Sequence, residues 1–224
     1  SAWAAMLLLL LSAGLSTAFA QNILNDPGFE QGGANWSASF IYGATGSVVT
    51  NAAAAHSGNC YYTTTGAGGN IASVGEGDSS GPYPTGTNSF PIIATDYYQL
   101  SAWVKVPGAS TTPQQVTLRY RFEPSDNRNN TGTQTINTEN WTHLTSPWIQ
   151  PAGLAGGSGD TYLGYWVVNS LNNGITMDVD DCAMIQAAPY TITGQVVDGS
   201  NTGQDGVTVS GSFGTYTASA STAG

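Results

Sequence analysis

Asp178, Asp180 and Asp181 fall within four positions of one strand-like run, Ile175-Thr-Met-Asp-Val-Asp-Asp-Cys-Ala-Met-Ile-Gln186. Carboxylates that close repel one another, and aspartate has poor β propensity, so the run points to a cation held by oxygen ligands. The alternative is an exposed acidic edge that discourages strand-to-strand association. Adjacent side chains in a strand point to opposite faces, so only one of Asp180 and Asp181 is expected to ligate through its side chain.

A second chemistry lies in two alternating runs. In Tyr97-Tyr-Gln-Leu-Ser-Ala-Trp-Val-Lys-Val106 one face carries Tyr98, Leu100, Ala102 and Val104, and the other Tyr97, Gln99, Ser101, Trp103 and Lys105. In Val116-Thr-Leu-Arg-Tyr-Arg-Phe122 the polar face carries Thr117, Arg119 and Arg121. If the two strands are sheet neighbours, three of the four bases meet around Trp103. Flat aromatic rings stack on the apolar faces of pyranose rings while planar polar groups bond the hydroxyls, so such a face suits a sugar. Tyr97, Tyr162 and Trp166 extend the platform if their strands join the same face. The alternative is that the aromatics fill the core or lie under a loop, and that the arginines pair with acids.

Catalytic chemistry has less to stand on. The histidines are His56 and His143. There is no Gly-x-Ser-x-Gly elbow, no metal-binding histidine pair and no phosphate loop. Glu30 with Glu76 would suit a glycosidase on composition alone, but nothing fixes their separation. No enzyme is expected in this stretch of chain.

The elements that position these groups are strands. Hydrophobic residues make up 40% of the 224, charged residues only 8%, and Gly 29 with Pro 10 mark frequent turns. Further strand-like runs are Trp141 to Ile149, Thr161 to Val168 and Ile175 to Ile185, and none has a sustained helical period. The expected fold is all-β: an antiparallel β-sandwich, a jelly roll of the galactose-binding-like kind, over residues 21–186. A formal charge of −10 excludes a broad basic footprint for nucleic acid and disfavours an anionic membrane surface. Met6 to Leu11 is an apolar run too short to span a bilayer, and Ala18-Phe19-Ala20 fits a small-x-small cleavage site. Residues 1–20 therefore read as a signal peptide and the protein as secreted or at the cell surface. In that compartment Cys60 and Cys182 can form a disulfide; the alternative is two small buried thiols. Residues 187–189 read as a linker, and 190–224 as the opening of a second, incomplete β-sandwich.

The landmarks Asn25-Asp-Pro-Gly-Phe-Glu30, Asn35-Trp36, His56-Ser57-Gly58, Tyr98-Gln-Leu-Ser-Ala-Trp-Val-Lys105, Asn140-Trp141-Thr142 and Val179-Asp180-Asp181 occur in an order that resembles the family 4/9 type of carbohydrate-binding module. The resemblance implies a structural calcium tying the N-terminal segment to the last strand, with Glu30, Asp180 and Asp181 at the matching positions. It also implies binding to β-glucan, xylan or similar chains. Ile192 to Asp198 and Asp205 to Val209 are similar to the carboxypeptidase-regulatory-like fold, a small transthyretin-like sandwich. The expected function is thus non-catalytic: a monomeric module within a multidomain chain, tethering it to a polysaccharide through Trp103, Arg119, Arg121, Gln99, Lys105, Tyr97 and Trp166. Lys105, Arg119 and Arg121 leave an acidic polysaccharide open. The alternative is a spacer or adhesive domain of a surface protein.

Overall fold

The computed structural model describes residues 20–38, 44–66, 71–76, 90–123, 125, 127–151, 159–189, 208–213 and 216–221. In chain order the first strands are β1 (Gln21–Asn22), β2 (Trp36–Ser37), β3 (Thr45–Thr50), β4 (Cys60–Thr65), β5 (Ile71–Glu76), β6 (Phe90–Pro91) and β7 (Tyr97–Lys105). They continue with β8 (Gln114–Glu123), β9 (Asn127–Ile136), β10 (Thr142–Thr145), β11 (Tyr162–Asn173), β12 (Thr176–Ala187), β13 (Thr208–Phe213) and β14 (Tyr216–Ser221). The described residues contain no α-helix, so none is long and apolar enough to cross a membrane.

Two antiparallel sheets enclose one core. The first runs β10-β7-β12-β4-β3, with β1 also paired to β12; the second runs β2-β5-β11-β8-β9, with β6 also paired to β11. Alternation sends Tyr98, Leu100, Ala102 and Val104 of β7 inward, where they meet Val116, Leu118, Tyr120 and Phe122 of β8 and Leu163, Tyr165 and Val167 of β11. The Tyr165 hydroxyl crosses the sandwich to donate to the Ser101 carbonyl at 2.7 Å. This is the jelly-roll β-sandwich expected from the strand pattern.

The adjacency on which a single platform around Trp103 depended is absent. β7 and β8 follow each other in sequence but lie in opposite sheets. The connection through Val106 and Ala109, both wholly buried, carries the chain across the core rather than back along an edge. Trp103 and Lys105 therefore face away from the core on one side of the sandwich, Arg119 and Arg121 on the other.

The expected disulfide is corrected as well. Cys60 and Cys182 are both free and buried. Cys60 lies 3.6 Å from the Thr50 hydroxyl, and Cys182 lies beside the Tyr165 hydroxyl. Each thus fills the place of a small apolar side chain with a weak polar partner.

Contacts divide the chain into Ala20–Ala188 and a second unit made of Ser1–Phe19 with Pro189–Gly224. In the second unit β13 and β14 form an antiparallel hairpin. The expected signal peptide, apart from Ala20, and the run Tyr190 to Asp198 lie outside the described residues.

Candidate functional site

The acidic residues are held together by the Asn25-Asp-Pro-Gly-Phe-Glu30 turn. Phe29, at φ 59°, inserts into the core edge-on to Trp36, with ring centroids 4.8 Å apart, and Trp36 Nε1 donates to the Asn25 carbonyl at 2.7 Å. That insertion turns Glu30 outward, where its Oε1 accepts from the backbone N–H groups of Asn59 (2.6 Å) and Cys60 (2.9 Å). The Asn59 bond is the main reason the Glu30 carboxyl is held below its ordinary range. The Cys182 N–H donates to the Pro27 carbonyl at 2.9 Å, tying the turn to the last strand of the sandwich.

Asp180 and Asp181 do not alternate. The β12–β7 register shifts between Asp180 and Ala183, and Asp181 adopts a φ of 43°. This bulge aims both carboxylates at the same loop. Asp180 Oδ2 accepts from His56 N (2.9 Å) and Ser57 N (3.2 Å); Asp181 Oδ1 accepts from Ser57 Oγ (2.8 Å), and its Oδ2 lies 2.6 Å from His56 Nδ1. Both carboxylates lie close to Gly28: a Cβ there would make ordinary contact, 3.5 Å from Asp181 Oδ1 and 4.0 Å from Asp180 Oδ1. Burial pushes the Asp180 carboxyl up, with the neighbouring charge of Asp181 adding to it. Three hard carboxylates with backbone carbonyls nearby are the donor chemistry of calcium. Among the described residues, however, no three acid, histidine or cysteine side chains stand close enough to hold one ion. The ends of the sandwich are joined here by hydrogen bonds.

A further carboxylate belongs to the same turn. Glu76, at the end of β5, is wholly buried and accepts from the Asn25 backbone N–H at 2.9 Å and from the Asn25 side-chain amide. Burial pushes its carboxyl up to about 7. Its observed partner is Asn25.

The outer face of the first sheet carries half of the residues expected to touch sugar. Trp103 is stacked on His56, with centroids 3.8 Å apart and planes 16° from parallel, and lies 5.0 Å from His143. Trp141 meets His56 and Tyr61 edge-on and donates from Nε1 to the Ala54 carbonyl at 3.0 Å. Lys105 Nζ stands 6.0 Å from the centre of the Trp141 ring, and Lys105 is cross-strand from Asp178, whose carboxyl burial pushes up. Gln99 donates to the Ser146 carbonyl at 2.9 Å, and Tyr97 closes the strand opposite Ala187. These side chains pack on one another and on the loop around His56.

The outer face of the second sheet carries the other half. Trp166, Arg119 and Asn130 lie in one row across β11, β8 and β9; Gly164, Arg121 and Arg128 form the next row, and Tyr162 and Glu123 the one beyond. Arg119 Nε donates to Asn130 Oδ1 at 2.7 Å, and Arg121 Nε pairs with Glu123 Oε1 at 2.7 Å. Trp166, Arg119 and Glu123 are buried although they point away from the core. Buried polar groups on a non-core face are the unusual observation in this protein. Trp166 differs from expectation in one respect: it is wholly buried rather than open for stacking. Arg128, Asn130 and Glu123 were not singled out from the sequence. Their signal was the alternation of Arg128 and Asn130 in a run too polar to suggest a strand.

The site and sandwich define a class of fold before any particular relative. The jelly roll is similar to solved carbohydrate-binding modules. It matches the tandem CBM22-1–CBM22-2 domain of Paenibacillus barcinonensis Xyn10C at 16% identity and a TM-score of 0.53, covering 78% of this chain and 49% of that one. The C-terminal family 22 carbohydrate-binding module of Clostridium thermocellum Xyn10B matches at 15% identity and 0.50, covering 75% and 93%. The CBM22-1 xylan-binding domain of Paenibacillus barcinonensis Xyn10C matches at 14% and 0.50, covering 73% and 93%. At these identities the likeness establishes the fold. No protein-family model and no curated protein matches the sequence.

Proposed function

We propose that the sandwich is a non-catalytic carbohydrate-binding module that tethers a larger secreted protein to a polysaccharide, with the outer face of the second sheet as its contact surface. The observation that carries this reading is the row of planar hydrogen-bonding groups fixed beside an indole on a face turned away from the core. Groups held in place before the ligand arrives lose little freedom on binding. Tethering raises the local concentration of whatever is attached. Xylan is the first glycan to test, because one of the similar structures is a xylan-binding domain. Within this fold the sequence landmarks favour the family 4/9 type, and the tail favours a carboxypeptidase-regulatory-like domain.

The burial of Trp166 favours a second reading, a spacer or adhesive domain whose outer faces are covered. Affinity electrophoresis in gels containing xylan, β-glucan, cellulose derivatives and galactan separates the two. Retardation on at least one glycan is expected of the module; free migration on every glycan contradicts it.

Calcium is proposed as a stabiliser rather than a reactant. It would draw Glu30, Asp180 and Asp181, which do not stand as a ready ligand group, toward a shared ion, with backbone carbonyls completing the shell. Supporting it is like-charge repulsion at this clamp: burial first, and then the Asp181 charge, push the Asp180 carboxyl up, and the same charge opposes the Asn59 and Cys60 bonds that hold Glu30 low. A bound divalent ion would supply the missing positive charge.

A further inference from the structure

The basic residues of this chain are few and unevenly placed. Of four, three (Arg119, Arg121 and Arg128) share the outer face of the second sheet. Arg121 and Arg128 stand directly opposite each other across β8 and β9. Like charges in that position destabilise a strand pair unless something compensates them. Glu123 is the acid in the adjoining row, and it is paired to Arg121. Asp160, just before β11, is taken up by the Ser125 N–H and hydroxyl at 2.8 and 2.7 Å. Among the described residues, therefore, this face holds more guanidinium than carboxylate, in a protein whose formal charge is −10.

The chemistry of the guanidinium narrows the ligand. An uncharged sugar hydroxyl can be bonded by Asn, Gln, Ser or Thr, which this protein has in abundance. A planar fork of donors is matched by a carboxylate, which takes two parallel charge-assisted bonds. Asn130 and Glu123 engage the Nε groups of Arg119 and Arg121, so the planes of both forks are set by the sheet. Arg128 is exposed on the edge strand and lies where a chain crossing the face would meet it.

We propose that this face binds a polysaccharide carrying carboxylates, as uronic-acid units or as uronate side groups on a neutral backbone, in preference to an uncharged glycan. The inference rests on the carbohydrate-binding reading above and adds the charge of the ligand to it. Lys105, on the other sheet, takes no part.

The test compares glucuronoxylan with the same polymer after its carboxyls are reduced to alcohols, in affinity gels at low and at 0.5 M salt, alongside neutral β-glucan. Wild-type protein and Arg128→Gln are both run; Arg128 is exposed, so folding is checked simply by an unchanged melting curve. The native polymer is expected to bind about tenfold more tightly than the reduced one, the worth of one or two charge-assisted bonds. That preference is expected to shrink with salt and to fall several-fold in Arg128→Gln. Equal retardation by native and reduced polymer overturns the charge inference and leaves carbohydrate binding standing. So does binding to β-glucan alone. Free migration on every glycan overturns both.

Discussion

The indole of Trp166 lies across Gly75, its cross-strand partner on β5: a Cβ on residue 75 would fall 2.6 Å from Cε2 of the ring. The glycine is thus what lets the ring lie against the outer face of the second sheet, next to Arg119. Gly75→Ala must move the indole or part the two strands, and about 3 kcal/mol of stability is expected to go with it. Chemical denaturation of the two proteins measures this; a cost under about 0.5 kcal/mol would mean the ring is free to swing away.

Glu76 makes the sandwich sensitive to alkali in a defined window. Its carboxyl moves from 4.5 to about 7 on folding because burial disfavours the charged form. The folded state therefore binds the proton more tightly, so the stabilisation is complete below pH 4.5 and is lost as pH rises toward 7. Burial pushes Asp178 and Asp180 the same way. Glu30, whose carboxyl is lowered, works in the opposite sense and only as pH falls through the acid range. Melting curves from pH 4.5 to 8 are expected to show a decline of order 3 kcal/mol, since each tenfold difference in proton affinity between the folded and unfolded chain is worth ~1.4 kcal/mol. In Glu76→Gln the decline is expected to be clearly shallower, and an unchanged slope would remove Glu76 from the explanation.

The calcium proposal is tested by stability alone. Addition of millimolar calcium to chelator-treated protein is expected to raise Tm by several degrees, and Asp181→Asn to reduce that rise. A Tm indifferent to both chelator and calcium contradicts the proposal and leaves the hydrogen-bonded clamp to hold the two ends by itself.

The two thiols give a simple chemical readout. Cys60 and Cys182 are buried, and burial pushes the Cys182 thiol well up, away from the reactive thiolate. Native protein is expected to resist iodoacetamide, while two alkylations appear by mass in denaturant without reductant. An unmodified denatured chain would reveal a disulfide after all.

The strand pattern carried much of this architecture, and three particulars show where it stopped. Alternation in β7 and β8 identified which side chains turn inward, because period two is a property of a single strand. It could not say that β7 and β8 belong to different sheets, since pairing partners are chosen by the whole core. Asp180 and Asp181 were expected on opposite faces, and the bulge with its positive φ at Asp181 overrode that local rule. β9, Asn-Arg-Asn-Asn-Thr-Gly-Thr-Gln-Thr-Ile, has only its last residue buried, so hydrophobicity gave no sign of the strand that supplies Arg128 and Asn130. Glu30 and the aspartate pair were singled out from the sequence as groups near the first and last strands of the sandwich. That they accept hydrogen bonds from the loop of His56, Ser57 and Asn59 was not legible there.

His56 and Trp103 provide the contrast needed to assign the contact face. Trp103→Ala removes the stacked pair and is expected to cost about 2 kcal/mol of stability while leaving glycan affinity within twofold of wild type. A large loss of affinity without loss of stability would move the contact surface to the first sheet.

The most direct test of the central claim is the association constant for the glycan that most retards the wild-type protein, measured by titration calorimetry for wild type, Arg119→Gln, Arg121→Gln and Trp103→Ala, each checked for folding. A loss of at least tenfold is expected in both arginine variants, and wild-type affinity in Trp103→Ala. Undiminished binding by folded Arg119→Gln and Arg121→Gln proteins would contradict a contact surface on the second sheet.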